Sequence, residues 1–320
     1  MKYKQFGNTD LEVSVMGLGC SRLGGNLSVG NKQEAVKMLN LAIDSGINFY
    51  DTADSYGQGQ SETLLGKTFK HQRDKVIFAS KAGYTLSPLG SIAAKFKPVL
   101  KPLVRSLRAL KSSSNSDSLG DAKASVLRQN FERNYLTTAV EGSLKRLQTD
   151  YLDLFQLHSP SSEILQSSEV WQTLESLKKQ GKIRYYGVSC DTVEDALICL
   201  QQPGLASIQL EINWLQSEAI AKVLPLAQQQ GVAVVARQPF ASGKLFAAEY
   251  NVFSSLHSKY HSITHVALQF VLQQTGVSVV IPGASSCQHL KNNLEVLDAS
   301  LLSQNELQAI TQSANPSKII

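Results

Sequence analysis

The segment Gly46-Ile47-Asn48-Phe49-Tyr50-Asp51-Thr52-Ala53-Asp54-Ser55-Tyr56-Gly57 places an acid and a phenol, five residues apart, at the end of a short apolar run. Lys81 follows a second such run, 75–80, and His158 follows a third, 151–157. Short apolar runs rich in β-branched and aromatic residues predict buried strands. The three polar groups therefore stand at the carboxyl ends of strands, where a parallel α/β barrel carries its active site.

Strand-like runs recur along the whole chain, and helical patterns lie between them. The eight predicted strands cover residues 13–18, 47–50, 76–80, 152–157, 185–188, 208–212, 232–236 and 277–281. The predicted helices cover residues 35–43, 136–147, 170–180, 193–200, 219–229, 262–274 and 301–310. Alternating strands and helices predict a parallel sheet, and eight repeats predict an α/β fold closed as a (β/α)8 TIM barrel. We expect residues 1–320 to form one such domain.

Two segments depart from this alternation. Residues 3–13 alternate around Gly7-Asn8-Thr9-Asp10, which predicts a β-hairpin ahead of the barrel. The connection at 85–130, after the third strand, is far longer than barrel connections usually are. It leaves the active-site side, so we expect a lid or a wall of the substrate pocket. The alternative is a basic amphipathic helix over 91–111 that contacts a membrane surface or a partner.

Composition narrows the classes of function. The net charge is +5 and the charges are well mixed, which argues against a nucleic-acid partner. The four cysteines form no C-x-x-C pair and no metal-type spacing with histidine, which predicts no metal site and favours a reducing cytoplasm. The chain start lacks an apolar signal core, and no run reaches the roughly 18 apolar residues of a membrane span. We therefore expect no transmembrane segment.

Asp51, Tyr56, Lys81 and His158 together suit the delivery of a proton to a carbonyl oxygen. A free tyrosine has a pKa of about 10, and a nearby ammonium such as that of Lys81 favours the phenolate. Asp51 can keep Lys81 charged and in place, while a neutral His158 can orient the substrate oxygen. None of the four groups supplies a hydride. A cofactor is required for that step, most simply a nicotinamide.

At these residues the chain resembles the aldo-keto reductase family. The resemblance rests on Asp51, Tyr56-Gly57, Lys81 and His158-Ser159-Pro160, and it extends through residues 143–147, 150–154, 186–189 and 281–284. It implies an NAD(P)H-dependent oxidoreductase that reduces an aldehyde or ketone to an alcohol, or runs the reverse reaction. The catalytic residues would then be Tyr56 as the proton donor, Lys81, Asp51 and His158. The N-terminal hairpin would plug the bottom of the barrel.

The resemblance also implies a cofactor site. Gly19, Cys20, Asp51 and Thr52 are expected near the nicotinamide and its ribose; Ser189, Cys190 and Gln209 near the carboxamide; Arg237 at the ring; Gly243, Lys244 and Leu245 along the pyrophosphate; and Gly283, Ser285, His289 and Asn293 at the adenosine phosphate. The family usually has Asn at position 190, so Cys190 is equally consistent with a small buried apolar group. Many relatives carry an aromatic residue at position 237, although a guanidinium also stacks on rings.

Cofactor choice and substrate are less sharply indicated. Positions 285 and 289 carry no Arg or Lys, so NADP(H) is favoured by family habit and NAD(H) stays open. Tyr56 and His158 would touch a small-molecule carbonyl or alcohol, with Tyr84 and Trp214 as walls. Two alternatives stand beside the reductase: a cofactor-bound, redox-sensing regulatory subunit of a membrane partner, and an NAD-dependent sugar or polyol dehydrogenase.

Overall fold

The computed structural model describes residues 1–23, 32–86, 127–246, 260 and 262–313. The strands are β1 Tyr3–Gln5, β2 Glu12–Ser14, β3 Leu18–Gly19, β4 Phe49–Asp51, β5 Ile77–Ala82, β6 Tyr84–Leu86, β7 Leu127–Gln129, β8 Leu152–His158, β9 Ile183–Ser189, β10 Ser207–Glu211, β11 Ala233–Arg237 and β12 Val277–Val280. The α-helices are α1 Lys32–Asp44, α2 Gln60–Phe69, α3 Arg133–Leu147, α4 Ser162–Gln166, α5 Ser168–Lys179, α6 Val193–Cys199, α7 Glu218–Lys222, α8 Leu224–Gln230, α9 Ile263–Leu272, α10 Cys287–Glu295 and α11 Gln304–Ser313.

Eight of the described strands form one sheet in the order β3-β4-β5-β8-β9-β10-β11-β12, and every pair along it is parallel. Its two outer strands meet. Met16 bridges Val280, Gly19 bridges Gly283, and the Gly17 N–H donates to the Val280 carbonyl at 2.8 Å. The sheet therefore closes, and the predicted (β/α)8 barrel is confirmed.

The predicted N-terminal hairpin is also confirmed, since β1 pairs antiparallel with β2. Phe6 lies between these strands, is fully buried, and its ring centroid is 5.7 Å from that of Phe49. Phe6 shares a cluster with Leu154 and Val235 from the barrel interior. Full burial of a phenylalanine contributes about 1.5–3 kcal/mol to stability. The hairpin thus closes one end of the barrel with apolar side chains.

The structure corrects the predicted first strand, 13–18. Val13 pairs with Lys4 in the hairpin, and β3 itself covers only Leu18–Gly19, with Met16 in an isolated bridge. The hairpin strand and the barrel strand follow each other within one apolar run. Hydrophobic periodicity indicates burial but not which strand pairs with which. The prediction therefore joined the hairpin strand β2 and the barrel strand β3 into one strand.

The predicted helix 219–229 is in fact two helices, α7 and α8, which meet at Val223. Pro225 lies in the first turn of α8, where no intrahelical hydrogen bond requires its missing N–H. Inside one continuous helix the same proline would break a hydrogen bond, so the pattern divides here. Helices α2 and α4 and the short ribbon of β6 with β7 were not predicted from the sequence. That ribbon forms the base of the long insertion. Residues 87–126, which include the helix expected over 91–111 and most of the expected lid at 85–130, lie outside the described residues.

The barrel interior changes character along its axis. Towards the hairpin it is apolar, with Phe49, Ile77 and Leu154. At the opposite end, where the strands terminate, the buried side chains are polar and include Lys81 and Gln156. Within the described ranges, no helix is long and apolar enough to span a bilayer.

Candidate active site

The four catalytic candidates meet at the carboxyl end of the barrel. Asp51 ends β4, His158 ends β8, Lys81 lies one residue before the end of β5, and Tyr56 follows in the loop after β4. The Lys81 Nζ lies 2.6 Å from the Asp51 Oδ1 and 5.2 Å from the centroid of the Tyr56 ring. The rings of Tyr56 and His158 meet edge to face at 5.8 Å. One end of the barrel therefore holds all four groups together.

Lys81 and Asp51 form a buried ion pair, with side chains 1% and 4% exposed. Lys81 also donates to the Thr52 carbonyl at 2.9 Å, and the Gln209 Nε2 donates to the Asp51 Oδ1 at 2.7 Å. Burial alone would lower the pKa of Lys81, but Asp51 and then Tyr56 outweigh it and raise the pKa above its ordinary value. Lys81 is therefore an ammonium at neutral pH, fixed by hydrogen bonds on several sides.

The pKa of Tyr56 moves in the opposite direction from the sequence expectation. Burial raises it above the usual value of 10.0, and the charge and hydrogen bond of Lys81 only partly oppose that effect. Tyr56 is therefore a protonated phenol at neutral pH. Tyr56 keeps its proton until a basic atom approaches. The fixed ammonium of Lys81 lowers the free energy of the phenolate that remains after the proton is transferred.

His158 is neutral in this setting. Burial, followed by the charges of Lys81 and Arg237, lowers its pKa to about 3. The ring stands edge-on to Tyr84 at 4.9 Å between centroids. A neutral imidazole has one N–H donor and one acceptor nitrogen. His158 can thus offer a hydrogen bond to a substrate without adding a charge.

A cavity of about 780 Å³ opens above this group of residues. Twelve of the expected site residues line it: Gly19, Asp51, Tyr56, His158, Ser189, Gln209, Arg237, Gly243, Gly283, Ser285, His289 and Asn293. Its size falls within the range of about 300–1,000 Å³ typical of small-molecule and cofactor sites. Most of the expected cofactor and substrate residues therefore border a single space. Lys81 lies beneath its floor.

Several of the expected site residues do not line this cavity. Cys20, Thr52, Cys190 and Leu245 are fully buried, Lys244 is exposed, and Tyr84 is partly buried behind His158. The Cys190 Sγ points to the Cys199 Sγ at 3.8 Å, so its side chain packs as a small buried group. Trp214, expected as a substrate wall, is not among the residues that line the cavity. It is 2% exposed and packs edge to face on Phe270 at 6.3 Å, inside the core.

The far end of the cavity has the chemistry of a phosphate site. Gly283 and Ser285 precede α10 and His289 lies in its first turn, at the amino end that carries free N–H groups and the positive end of the dipole, while Asn293 lies further along the helix. The Ser285 Oγ and the His289 Nδ1 are 2.5 Å apart. The Asn293 Nδ2 is buried without a partner, although its residue borders the cavity. An amide donor in that state fits a dinucleotide that would bind here.

Arg237 is held at the end of β11 by its Nη2, which donates to the Cys190 carbonyl at 3.1 Å and to the Asp191 Oδ1 at 2.9 Å. Its Nε is buried without a partner.

The cavity residues Ser159, Gln238 and Ser242 have φ angles of 54°, 53° and 57°. Left-handed backbone at residues other than glycine is strained, and such strain collects at functional sites.

Asp54, three residues after Asp51, is a half-buried carboxyl to which the sequence assigned no role. Its Oδ2 accepts from the Tyr135 hydroxyl at 3.1 Å, whereas its Oδ1 is buried without a partner. The neighbouring Glu62 is ion-paired with Arg146 at 2.6 Å. Burial, and next the Glu62 charge, raise the pKa of Asp54 to about 7. Only the folded environment reveals this, since the residue type alone predicts an ordinary carboxylate.

The raised pKa of Asp54 predicts a pH-dependent effect of Asp54→Asn on stability. Between pH 3.8, the ordinary value, and about 7, the folded protein binds more protons at Asp54 than the unfolded chain, so stability falls as pH rises. The neutral amide of the variant carries no such cost. We expect the free energy of unfolding of the variant, relative to that of wild type, to be higher at pH 8 than at pH 5 by on the order of 2 kcal/mol. Urea unfolding at the two pH values measures this difference. An equal difference at both pH values would contradict the assignment.

Comparison with known proteins agrees with this geometry. The model of the aldo/keto reductase family matches residues 15–315. An uncharacterized oxidoreductase of Bacillus subtilis, YqkF, is 29% identical, over 97% of this chain and 95% of its own. The holo form of the aldo-keto reductase AKR11C1 from Bacillus halodurans superposes with a TM-score of 0.76 at 29% identity, over 98% of this chain and 96% of that one.

A second solved relative shows a nicotinamide cofactor. It is an aldo/keto reductase from Klebsiella pneumoniae in complex with NADP and acetate, with a TM-score of 0.71 and 25% identity, over 99% of this chain and 96% of that one. The family match covers most of the chain, and the relatives are matched over nearly their whole lengths. The chain therefore belongs to the aldo/keto reductase family and is an NAD(P)-dependent oxidoreductase.

Proposed function

We propose that this protein reduces an aldehyde or ketone to an alcohol with NADPH, or catalyses the reverse oxidation. The convergence of Tyr56, Lys81, Asp51 and His158 at the floor of one cavity carries the proposal. A bound nicotinamide would supply the hydride, and the chain's own residues manage the proton. Buried, oriented donors of this kind stabilise charge that develops on a carbonyl oxygen.

Each of the four residues has a distinct role in the proposed reaction. Tyr56 holds its proton at neutral pH and gives it to the carbonyl oxygen as negative charge develops there. The Lys81 ammonium stabilises the phenolate left behind, and Asp51 holds that ammonium through the 2.6 Å ion pair. The neutral His158 donates to the same oxygen and fixes the substrate's orientation. In alcohol oxidation the proton moves in reverse.

The residues along the cavity suit one extended dinucleotide. We assign Ser189 and Gln209 to the carboxamide, Arg237 to the nicotinamide ring and Gly243 to the pyrophosphate. The Ser189 hydroxyl already donates to the Gln209 Oε1 at 3.1 Å, and Gln209 reaches Asp51, so the carboxamide site is tied to the catalytic ion pair. The unpartnered Arg237 Nε and Asn293 Nδ2 mark two further places where a ligand would complete the hydrogen bonding.

Ser285→Arg is expected to shift cofactor preference towards NADPH. A guanidinium pairs with a 2′-phosphate through charge-assisted, bidentate hydrogen bonds, which Ser285 and His289 supply only weakly. One such pair changes the ratio of the NADH and NADPH dissociation constants by about tenfold or more. Fluorescence titration with both cofactors measures the ratio, and Ser285→Ala controls for loss of the hydroxyl. A ratio that stays the same in the Arg variant would place the 2′-phosphate elsewhere.

The proposed function itself is tested with the wild-type protein. NADPH and NADH are titrated by fluorescence, and oxidation of the preferred cofactor is then followed against a panel of aldehydes and ketones. Tight binding with turnover supports the reductase. Tight binding without turnover on any carbonyl would favour the regulatory subunit. Absence of binding would overturn the proposal.

A second candidate is an NAD-dependent sugar or polyol dehydrogenase. The observation that favours it is the pair of half-buried Ser285 and exposed His289, which offers a hydroxyl and an imidazole where a strong 2′-phosphate site would carry a cation. This candidate predicts tighter binding of NADH than of NADPH, together with oxidation of polyols by NAD⁺. The same titration therefore separates it from the first.

A further inference from the structure

Three polar atoms beneath the cavity floor lack the partners that buried groups normally have. Gln156 precedes His158 by two residues on β8, so both side chains project from the same face of the strand. Gln156 is fully buried, and neither its Nε2 nor its Oε1 has a hydrogen-bond partner. The His158 Nδ1 is buried and unpartnered as well. Buried side-chain polar atoms are otherwise nearly always satisfied, which makes this grouping informative.

The strand register shows what surrounds Gln156. It lies beside Lys81 on one neighbouring strand and beside Gly187 on the other, and Gly187 lies beside Ser207. Because Gly187 has no side chain, the Ser207 hydroxyl occupies the place where its Cβ would be. The Ser207 Oγ is also buried without a partner. Lys81, Gln156 and Ser207 therefore lie at one level of the sheet, one layer below His158.

The proposed role of His158 places a demand on this layer. A neutral imidazole carries hydrogen on one nitrogen only. His158 borders the cavity while its Nδ1 is turned into the protein, so the Nε2 is the nitrogen that a substrate oxygen can reach. For the Nε2 to donate, the Nδ1 must be the bare nitrogen. A bare, buried Nδ1 needs a donor, and without one the tautomer with hydrogen on the Nδ1 becomes competitive.

We propose that the Gln156 amide donates from its Nε2, through one bridging water, to the His158 Nδ1 and so holds the tautomer with hydrogen on the His158 Nε2. Lys81 lies beside Gln156 on the adjacent strand, and its positive charge favours the orientation that turns the amide oxygen towards it. The NH2 group is then the end left for His158. Gln156 is thus a positioning residue for the carbonyl-orienting donor, and its catalytic significance rests on the proposed function.

The tautomer is measured directly by NMR on protein labelled with 15N-histidine, which gives a tractable spectrum because the chain has six histidines. The His158 signals are assigned by their loss in His158→Gln. In wild type we expect hydrogen on the Nε2. In Gln156→Leu, which keeps a similar volume but has no donor, we expect a mixture of tautomers or hydrogen on the Nδ1. The kcat for carbonyl reduction should fall by about tenfold, as loss of one buried hydrogen bond predicts, with the Kd for NADPH unchanged.

Leu154→Met provides the matched control. Leu154 lies on the same face of β8 one layer lower, so this variant disturbs the interior packing without removing a donor. Its tautomer and kcat should match wild type. If Gln156→Leu does not fold, Gln156→Met tests the same loss with a more adaptable side chain.

Two results would overturn the proposal: hydrogen on the Nδ1 in wild type, or hydrogen still wholly on the Nε2 in a folded Gln156 variant. Both are read without turnover. A protein that binds NADPH but reduces no carbonyl would fail the proposed function while the NMR result still decides the role of Gln156.

Discussion

Tyr56→Phe is expected to lower kcat for carbonyl reduction by about 10²–10⁴-fold while leaving the Kd for NADPH almost unchanged. The substitution removes only the hydroxyl that carries the transferable proton. The phenyl ring still packs edge to face on His158 and lies beside the Lys81 ammonium. Cofactor binding is therefore preserved, whereas developing charge on the carbonyl oxygen loses its acid.

Tyr84→Phe is the matched control for this prediction. Its ring also stands edge-on to His158, at 4.9 Å, but its hydroxyl has no part in the proposed proton transfer. Steady-state kinetics and fluorescence titration of both variants make the comparison. If Tyr56→Phe turned over like wild type, Tyr56 would not be the acid.

Lys81→Met should impair both stability and turnover. It leaves Asp51 buried without its counter-ion, which costs about 3–5 kcal/mol in the free energy of unfolding. It also removes the charge that stabilises the Tyr56 phenolate, so kcat should fall by about as much as in Tyr56→Phe. Urea unfolding and steady-state kinetics measure the two effects separately.

The double variant Lys81→Met/Asp51→Asn separates the two roles. Neutralising Asp51 removes the unpaired charge, so stability should recover much of the loss while turnover stays low. Lys182→Met is the surface control. The Lys182–Glu141 pair is largely solvated, with side chains 26% and 54% exposed, and its loss should cost less than about 1 kcal/mol. If Lys81→Met were as stable as wild type, or if the double variant Lys81→Met/Asp51→Asn regained turnover, the assigned roles would be contradicted.

The architecture was predictable because it depends on patterns along the chain. Alternating strand and helix runs predicted the barrel, and a polar residue directly after a strand predicted the position of Asp51 and His158 near one another. Boundaries failed where one apolar run served two partners, as at residues 13–18, or where Pro225 divided a helical pattern.

The electrostatics of the site depend on burial, which the sequence does not display. The residue types suggested that Lys81 lowers the pKa of Tyr56, but desolvation outweighs that attraction in the folded protein. Asp54 and Gln156 carry no motif. Their interest arises only because the fold buries a carboxyl beside Glu62 and leaves an amide unpartnered below His158. Trp214 shows that burial is equally hidden in the other direction, since this aromatic residue after a strand is only 2% exposed.

The proposed transfer of a hydride from NADPH to a carbonyl carbon, with the proton from Tyr56, is the reaction on which these predictions depend. It is tested most directly with NADPH deuterated at the transferable position, an aldehyde accepted in the panel, and mass spectrometry of the product. We predict one deuterium on the carbinol carbon with wild type and almost none, over the same time, with Tyr56→Phe. Tight NADPH binding with no deuterium in the product of the wild-type protein would contradict the claim.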